Sequence, residues 1–127
     1  MIGVNPEASP SALLSFRHGR ALDPYDHEPT LAHGIAGGFG RIPFEIARGL
    51  VDEIVLVSEA ELAAAIVALI DSDQVLAEPS GAAAVAAVIS GKVKRRGKVV
   101  AVVSGGNLDS ATLRSLLCPS ISAGAAG

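Results

Sequence analysis

Apolar residues fall into two kinds of run along this chain. Short blocks rich in Val, Ile and Leu alternate with longer stretches whose apolar positions recur every three or four residues. The first pattern predicts strands and the second predicts helices. Residues 1–4 form the first strand block. Ser9-Pro10-Ser11 then opens a helix, with Ser9 as N-cap and Pro10 at the first helical position, running to about residue 18 and stopping at Gly19. Residues 20–33 carry Pro24, Pro29 and several polar side chains, and read as a surface excursion. Residues 34–40 are dense in glycine, which predicts a backbone that is either mobile or pressed against something. Pro43 starts a helix through Leu50, and 53–57 is the next strand.

Ser58 followed by Glu61 fits a capping box, and Leu62, Ile66, Leu69 and Ile70 share one face of the helix it begins. A short strand is predicted at 75–77. Residues 80–90 read as a helix closed by Gly91; its alanines favour close backbone packing and predict burial. The last strand spans 98–103, and the last helix runs from its N-cap Asp109 to 117. Residues 119–127 are small and polar, a tail expected to be flexible.

Strands alternating with helices predict an α/β fold, a parallel sheet with helices on both faces. With 127 residues, no internal repeat and no linker, the chain fits one modest domain over 1–118. Composition narrows the partners. Half of the residues (50%) are hydrophobic, which suits a core-building chain, and only 3% are aromatic, so small aliphatics fill the layers. A net charge of −3 gives no electrostatic footprint for nucleic acid. The basic run from Lys92 to Lys98 has no interleaved aromatics and reads as a solvated connection. The apolar run 62–70 is too short to span a bilayer, and the N-terminus has no secretory pattern. One cysteine, Cys118, excludes an internal disulfide and fits a reducing cytoplasm.

The candidate chemistry gathers at Val99-Val100-Ala101-Val102-Val103-Ser104-Gly105-Gly106-Asn107. A buried strand here would run straight into a turn carrying a free hydroxyl. In open α/β sheets ligands sit at the carboxyl ends of strands, against helix N-termini. Ser104 is therefore a candidate ligand contact; the other reading of the same residues is a tight strand-to-helix turn. Asp23, Asp26, His27 and Glu28 match no zinc or calcium spacing, so no metal site is expected. Ala36-Gly37-Gly38-Phe39-Gly40 lacks the Gly-Lys-Ser/Thr ending of a P-loop and reads as a flexible rim.

Five blocks, taken together and in order, carry a family resemblance: Ile2-Gly3-Val4-Asn5-Pro6-Glu7, Thr30-Leu31-Ala32-His33-Gly34-Ile35-Ala36, the stretch from Leu50 to Glu61, the stretch from Val75 to Ala84, and Gly97-Lys98-Val99-Val100 leading into Ser104-Gly105-Gly106-Asn107. From Ile2 to about Leu117 the chain resembles the C-terminal part of the threonine/serine ammonia-lyase (dehydratase) family. These are pyridoxal 5'-phosphate enzymes of the tryptophan-synthase-β fold type. The resemblance implies the C-terminal portion of their large domain.

It also implies residue roles. Ser104 stands where the family places a hydroxyl or thiol at the cofactor's pyridine nitrogen, and Gly105 lines the ring. Gly34 stands where backbone approaches the ring, although His33 replaces the family's acidic residue. Glu78 stands near the ring, with helix-terminus stabilisation as the alternative. Asn107 is expected to shape the turn. Asn5 replaces the glutamate that relatives use for a cation, which removes that site.

The family's Schiff-base lysine and glycine-rich phosphate loop match nothing here. Lys92, Lys94 and Lys98 lie in a polar connection outside any family lysine motif. No residue of this chain is therefore assigned a catalytic role. The implied activity is conversion of a hydroxy amino acid to a 2-oxo acid and ammonia, with this chain inactive alone. The alternative is a non-catalytic assembly partner or truncated paralogue. Either way the expected partners are an amino-acid substrate and a homo-oligomer or a complementing N-terminal half.

Overall fold

The computed structural model describes residues 1–94 and 97–118; the tail at 119–127 lies outside the described residues. Its sheet has two parallel strands, β1 (Ile2–Pro6) and β2 (Glu53–Val57), paired from Ile2↔Glu53 to Pro6↔Val57. Successive residues of a strand point to opposite faces and paired residues to the same one. Val4, Val55 and Val57 therefore share a face, and all three pack in the main core. Gly3, Asn5 and Ile54 share the other. Helices do lie on both faces of this parallel sheet.

On the core face sit α3 (Glu59–Asp73) and α4 (Pro79–Ile89). Leu62, Ala65, Ile66 and Leu69 from α3 meet Ala82, Ala83, Ala86 and Ala87 from α4. The alanines let the two backbones approach closely, and the expected burial of α4 is found. Ser58 accepts from the Glu61 amide at 3.2 Å while the Glu61 carboxylate accepts from the Ser58 amide at 2.7 Å, so the capping box forms. On the opposite face lie α1 (Ser11–His18) and α2 (Arg41–Ala47). Phe16, Phe39 and Phe44 form a ring cluster there, with centroids 5.8–6.5 Å apart.

Several expectations are corrected. Ser9 does not cap α1. Its buried hydroxyl accepts from the Gly37 amide at 2.9 Å, and α1 is capped across the fold by Asn5, whose Oδ1 accepts from Ala12 and Leu13. The glycine-dense segment is pressed against its neighbours. Beyond the Gly37 bond, Phe39 N–H donates to Leu22 at 2.8 Å, and the Asp23 carboxylate fills the space a side chain at Gly38 would need.

The larger correction concerns strands. Residues 75–77 and 98–103 have extended sequence character but are not strands. A strand exists by lateral hydrogen bonding. Among the described residues nothing pairs with 98–103, and Val100 and Val102 stand 89% and 71% exposed. A valine run coded for burial on two faces gains no strand partner among the described residues, and Val100 and Val102 stay largely exposed.

Candidate functional site

The N-terminus of α4 gathers three segments that are far apart in sequence. Gly34 N–H donates to Ser80 Oγ at 2.8 Å. Ser104 N–H donates to the Gly81 carbonyl at 3.4 Å, and Glu78 N–H donates to the Gly105 carbonyl at 3.3 Å. Of the sequence-predicted residues, Gly34, Glu78, Ser104 and Gly105 thus all lie around one helix end. Pro79 at the first helical position is what makes this end, since it needs no N–H there.

The glycines are required by contact. A methyl group at Gly81 would overlap the Ser104 carbonyl carbon and oxygen, so only glycine lets 104–105 lie across the helix. Gly105 takes the left-handed conformation, φ +65°, and a side chain there would strike the Glu78 carboxylate. At Gly34 a Cβ would come within 3.0 Å of Ser80 Oγ.

A cleft of about 390 Å³ opens beside this junction, its wall including Leu31, His33, Gly34, Glu78, Ser80, Asn107, Asp109 and Thr112. Ser104 and Gly105 are exposed and adjoin Glu78 and Gly81, but they do not form the wall. Asp109 is the N-cap of α5 (Ser110–Leu117), accepting from the Ala111 and Thr112 amides at 2.9 and 2.8 Å and from the Thr112 hydroxyl at 2.7 Å. The Thr112 hydroxyl, followed by the capped amides, holds the Asp109 carboxyl below its ordinary value. Asp109 is thereby committed to the helix.

Sequence reasoning missed Ser80 and Gly81. Both lie inside the Glu78-Pro79-Ser80-Gly81 block, but what they touch is 23–46 residues away. His33, which carries no role in the sequence reading, forms part of the wall. Asn107, read as a turn residue, also lines the cleft.

Glycine backbone from two loops meets a helix N-terminus beside a cleft in a parallel α/β fold, the kind of place where open-sheet folds hold ligands. The profile of the pyridoxal-phosphate-dependent enzyme family matches residues 1–105. The chain is 47% identical over 111 residues to an L-threonine ammonia-lyase of Thermotoga maritima, covering 86% of this chain and 27% of that protein. It is 40% identical over 113 residues to the catabolic L-threonine dehydratase of Escherichia coli, covering 86% of this chain and 34% of that one. The crystal structure of a T.th. threonine deaminase superposes with a TM-score of 0.78 at 35% identity, over 85% of this chain and 40% of that one. Maize serine racemase superposes with a TM-score of 0.80 at 26% identity, over 91% of this chain and 38% of that one.

The chain belongs to the pyridoxal-phosphate-dependent enzyme family, corresponding to the C-terminal part of its threonine/serine dehydratase branch. It spans about a third of the length of the curated relatives it matches, from 27% to 36%. Among the described residues no helix is long and apolar enough to cross a membrane.

The residues present suit one half of that cofactor. The exposed Ser104 and the side-chain-free backbone of Gly105 and Gly34 leave room for a ring edge, with the Glu78 carboxylate set against Gly105. Among the described residues the cleft wall contains no lysine or arginine, so it offers no cation to a phosphate and no amine to an aldehyde.

Proposed function

We propose that this chain supplies the ring-binding part of a threonine/serine ammonia-lyase, and that the lysine and phosphate loop come from polypeptide outside these 127 residues. The observation that carries the reading is the junction at α4, where Gly34, Glu78, Ser104 and Gly105 meet beside the cleft. Bound pyridoxal phosphate supplies an electron sink for the substrate's α-carbon. The Ser104 hydroxyl would serve as a neutral partner for the ring nitrogen, which stabilises a protonated ring less than a carboxylate would. Such a partner would suit elimination of a leaving group from the bound substrate. Gly34 and Gly105 admit the ring edge, and Glu78, set against Gly105, orders the hydrogen bonds around it. The substrate is a hydroxy amino acid, the products are a 2-oxo acid and ammonia, and the setting is a reducing cytoplasm.

The exposed valines at 99–103 support a second element of the reading, association with the complementing N-terminal part or with another copy. Contiguous exposed apolar surface marks interfaces.

Amide shifts of the ¹⁵N-labelled chain, followed while pyridoxal phosphate is added, test the ring site. Shifts concentrated at Gly34, Glu78, Ser104 and Gly105, and diminished in Ser104→Ala, are expected. Shifts confined to Lys92, Lys94 and Lys98 would refute it. Mixing the chain with a polypeptide carrying the family's lysine and phosphate loop is expected to release ammonia from L-threonine, whereas the chain alone releases none.

A further inference from the structure

We infer that Glu59 is a positioning residue for the cleft, clamping residues 30–32 to the start of α3 and so fixing where His33 and Gly34 stand. Both carboxylate oxygens are used. Thr30 donates its hydroxyl to Glu59 Oε1 at 2.5 Å, and Leu31 donates its amide to Oε2 at 2.6 Å. Thr30 Oγ1 in turn accepts from the Ala32 amide at 3.1 Å. Thr30 and Ala32 are buried, so losing the carboxylate leaves the Thr30 hydroxyl without its acceptor where water has little access.

Glu59 itself has little freedom. It is the first residue of α3, directly after the Ser58 that the capping box locks. The clamped segment, by contrast, has almost no regular structure of its own. It leads into a single 3-10 turn at His33–Ile35, so its place is set by side chains. Glu59 holds it on one side of His33 and Ser80 holds it at Gly34 on the other. Leu31, His33 and Gly34, the residues so held, are all part of the cleft wall. Hydrogen bonds to an ionised acceptor are stronger than neutral ones, which suits a clamp that must order a loop.

The functional meaning rests on the ring-site reading above; the clamp itself does not. The test uses the ¹⁵N-labelled 127-residue chain, amide hydrogen exchange, and titration with pyridoxal phosphate. Glu59→Ala and Thr30→Val are expected to speed exchange at Leu31 and Gly34 by about tenfold, the scale of one lost hydrogen bond to a charged group. Protection across β1, β2 and α4 is expected to stay as it was. The same variants should weaken the cofactor-induced shift of Gly34 in proportion, and Thr30→Ser should restore both.

Unchanged exchange and shift at Gly34 despite altered Leu31 would overturn the inference, because the clamp would not reach the cleft. Loss of protection throughout β1, β2 and α4 in Thr30→Val, unrescued by Thr30→Ser, would overturn it too, showing general support of the fold. If the unsubstituted chain shows no cofactor shift at Gly34, the ring-site reading fails, and the exchange measurements still decide the clamp.

Discussion

Gly81 shows how much a single residue decides here. The Ser104 carbonyl occupies the volume that a side chain at Gly81 would need. Gly81→Ala must therefore move backbone against backbone. Overpacking of this kind costs about 1–3 kcal/mol, and chemical denaturation should show a loss in that range, with the Gly105 amide displaced. Gly49→Ala is the matched comparison, since nothing lies within 4 Å of a Cβ there; its effect should stay within about 0.5 kcal/mol. At this scale the sequence was informative about Ser104, Gly34, Glu78 and Gly105 because an ordered set of short blocks located them. It was silent about Gly81 and Ser80, whose partners are far along the chain.

Elements were legible where their signals are local. β2, the capping box of α3, the alanine face of α4 and the Asp109 cap of α5 all depend on residues within one turn or one strand. Ser58→Ala removes the acceptor for the Glu61 amide and should lower stability by about 1 kcal/mol, measurable as a shift in urea midpoint. Burial raises the Glu61 carboxyl, but the Lys92 ammonium at 2.7 Å and the Ser58 hydrogen bonds outweigh that and leave it below its ordinary value. Lys92 is raised, first by Glu61.

The signs follow. A carboxyl lowered in the folded chain adds stability that is complete above its ordinary value and lost as pH falls through the lower folded one. Asp109 obeys the same rule. The Ala111 and Thr112 amides should keep their capped shifts at neutral pH and lose them only below about pH 4, the ordinary carboxylate range. Asp109→Asn should flatten that acid transition. Where capping came from a distance, as with Asn5 on α1, the local pattern pointed to the wrong residue.

At the scale of the whole molecule, apolar surface remains outside. Val100 and Val102 are 89% and 71% exposed, and Ile42, Ile46 and Leu50 recur at helical spacing along the outside of α2 and its end. Val100→Asp with Val102→Asp should leave the stability of the isolated chain within about 0.5 kcal/mol, because exposed side chains away from packing contribute little. Light scattering should show less self-association than for the unsubstituted chain. The same pair should block association with a complementing polypeptide if these valines are the contact.

What the sequence alone determined is the family, the two paired strands, most of the helices and the blocks that meet at α4, because periodicity, caps and glycine turns are properties of near neighbours. Only the tertiary structure decided which valines became strand, which side chain capped α1, and that Ser80, Gly81 and Glu59 hold the cleft together. Those outcomes depend on atoms brought into contact across tens of residues. A strand without a lateral partner stays extended and exposed however strongly its valines favour burial.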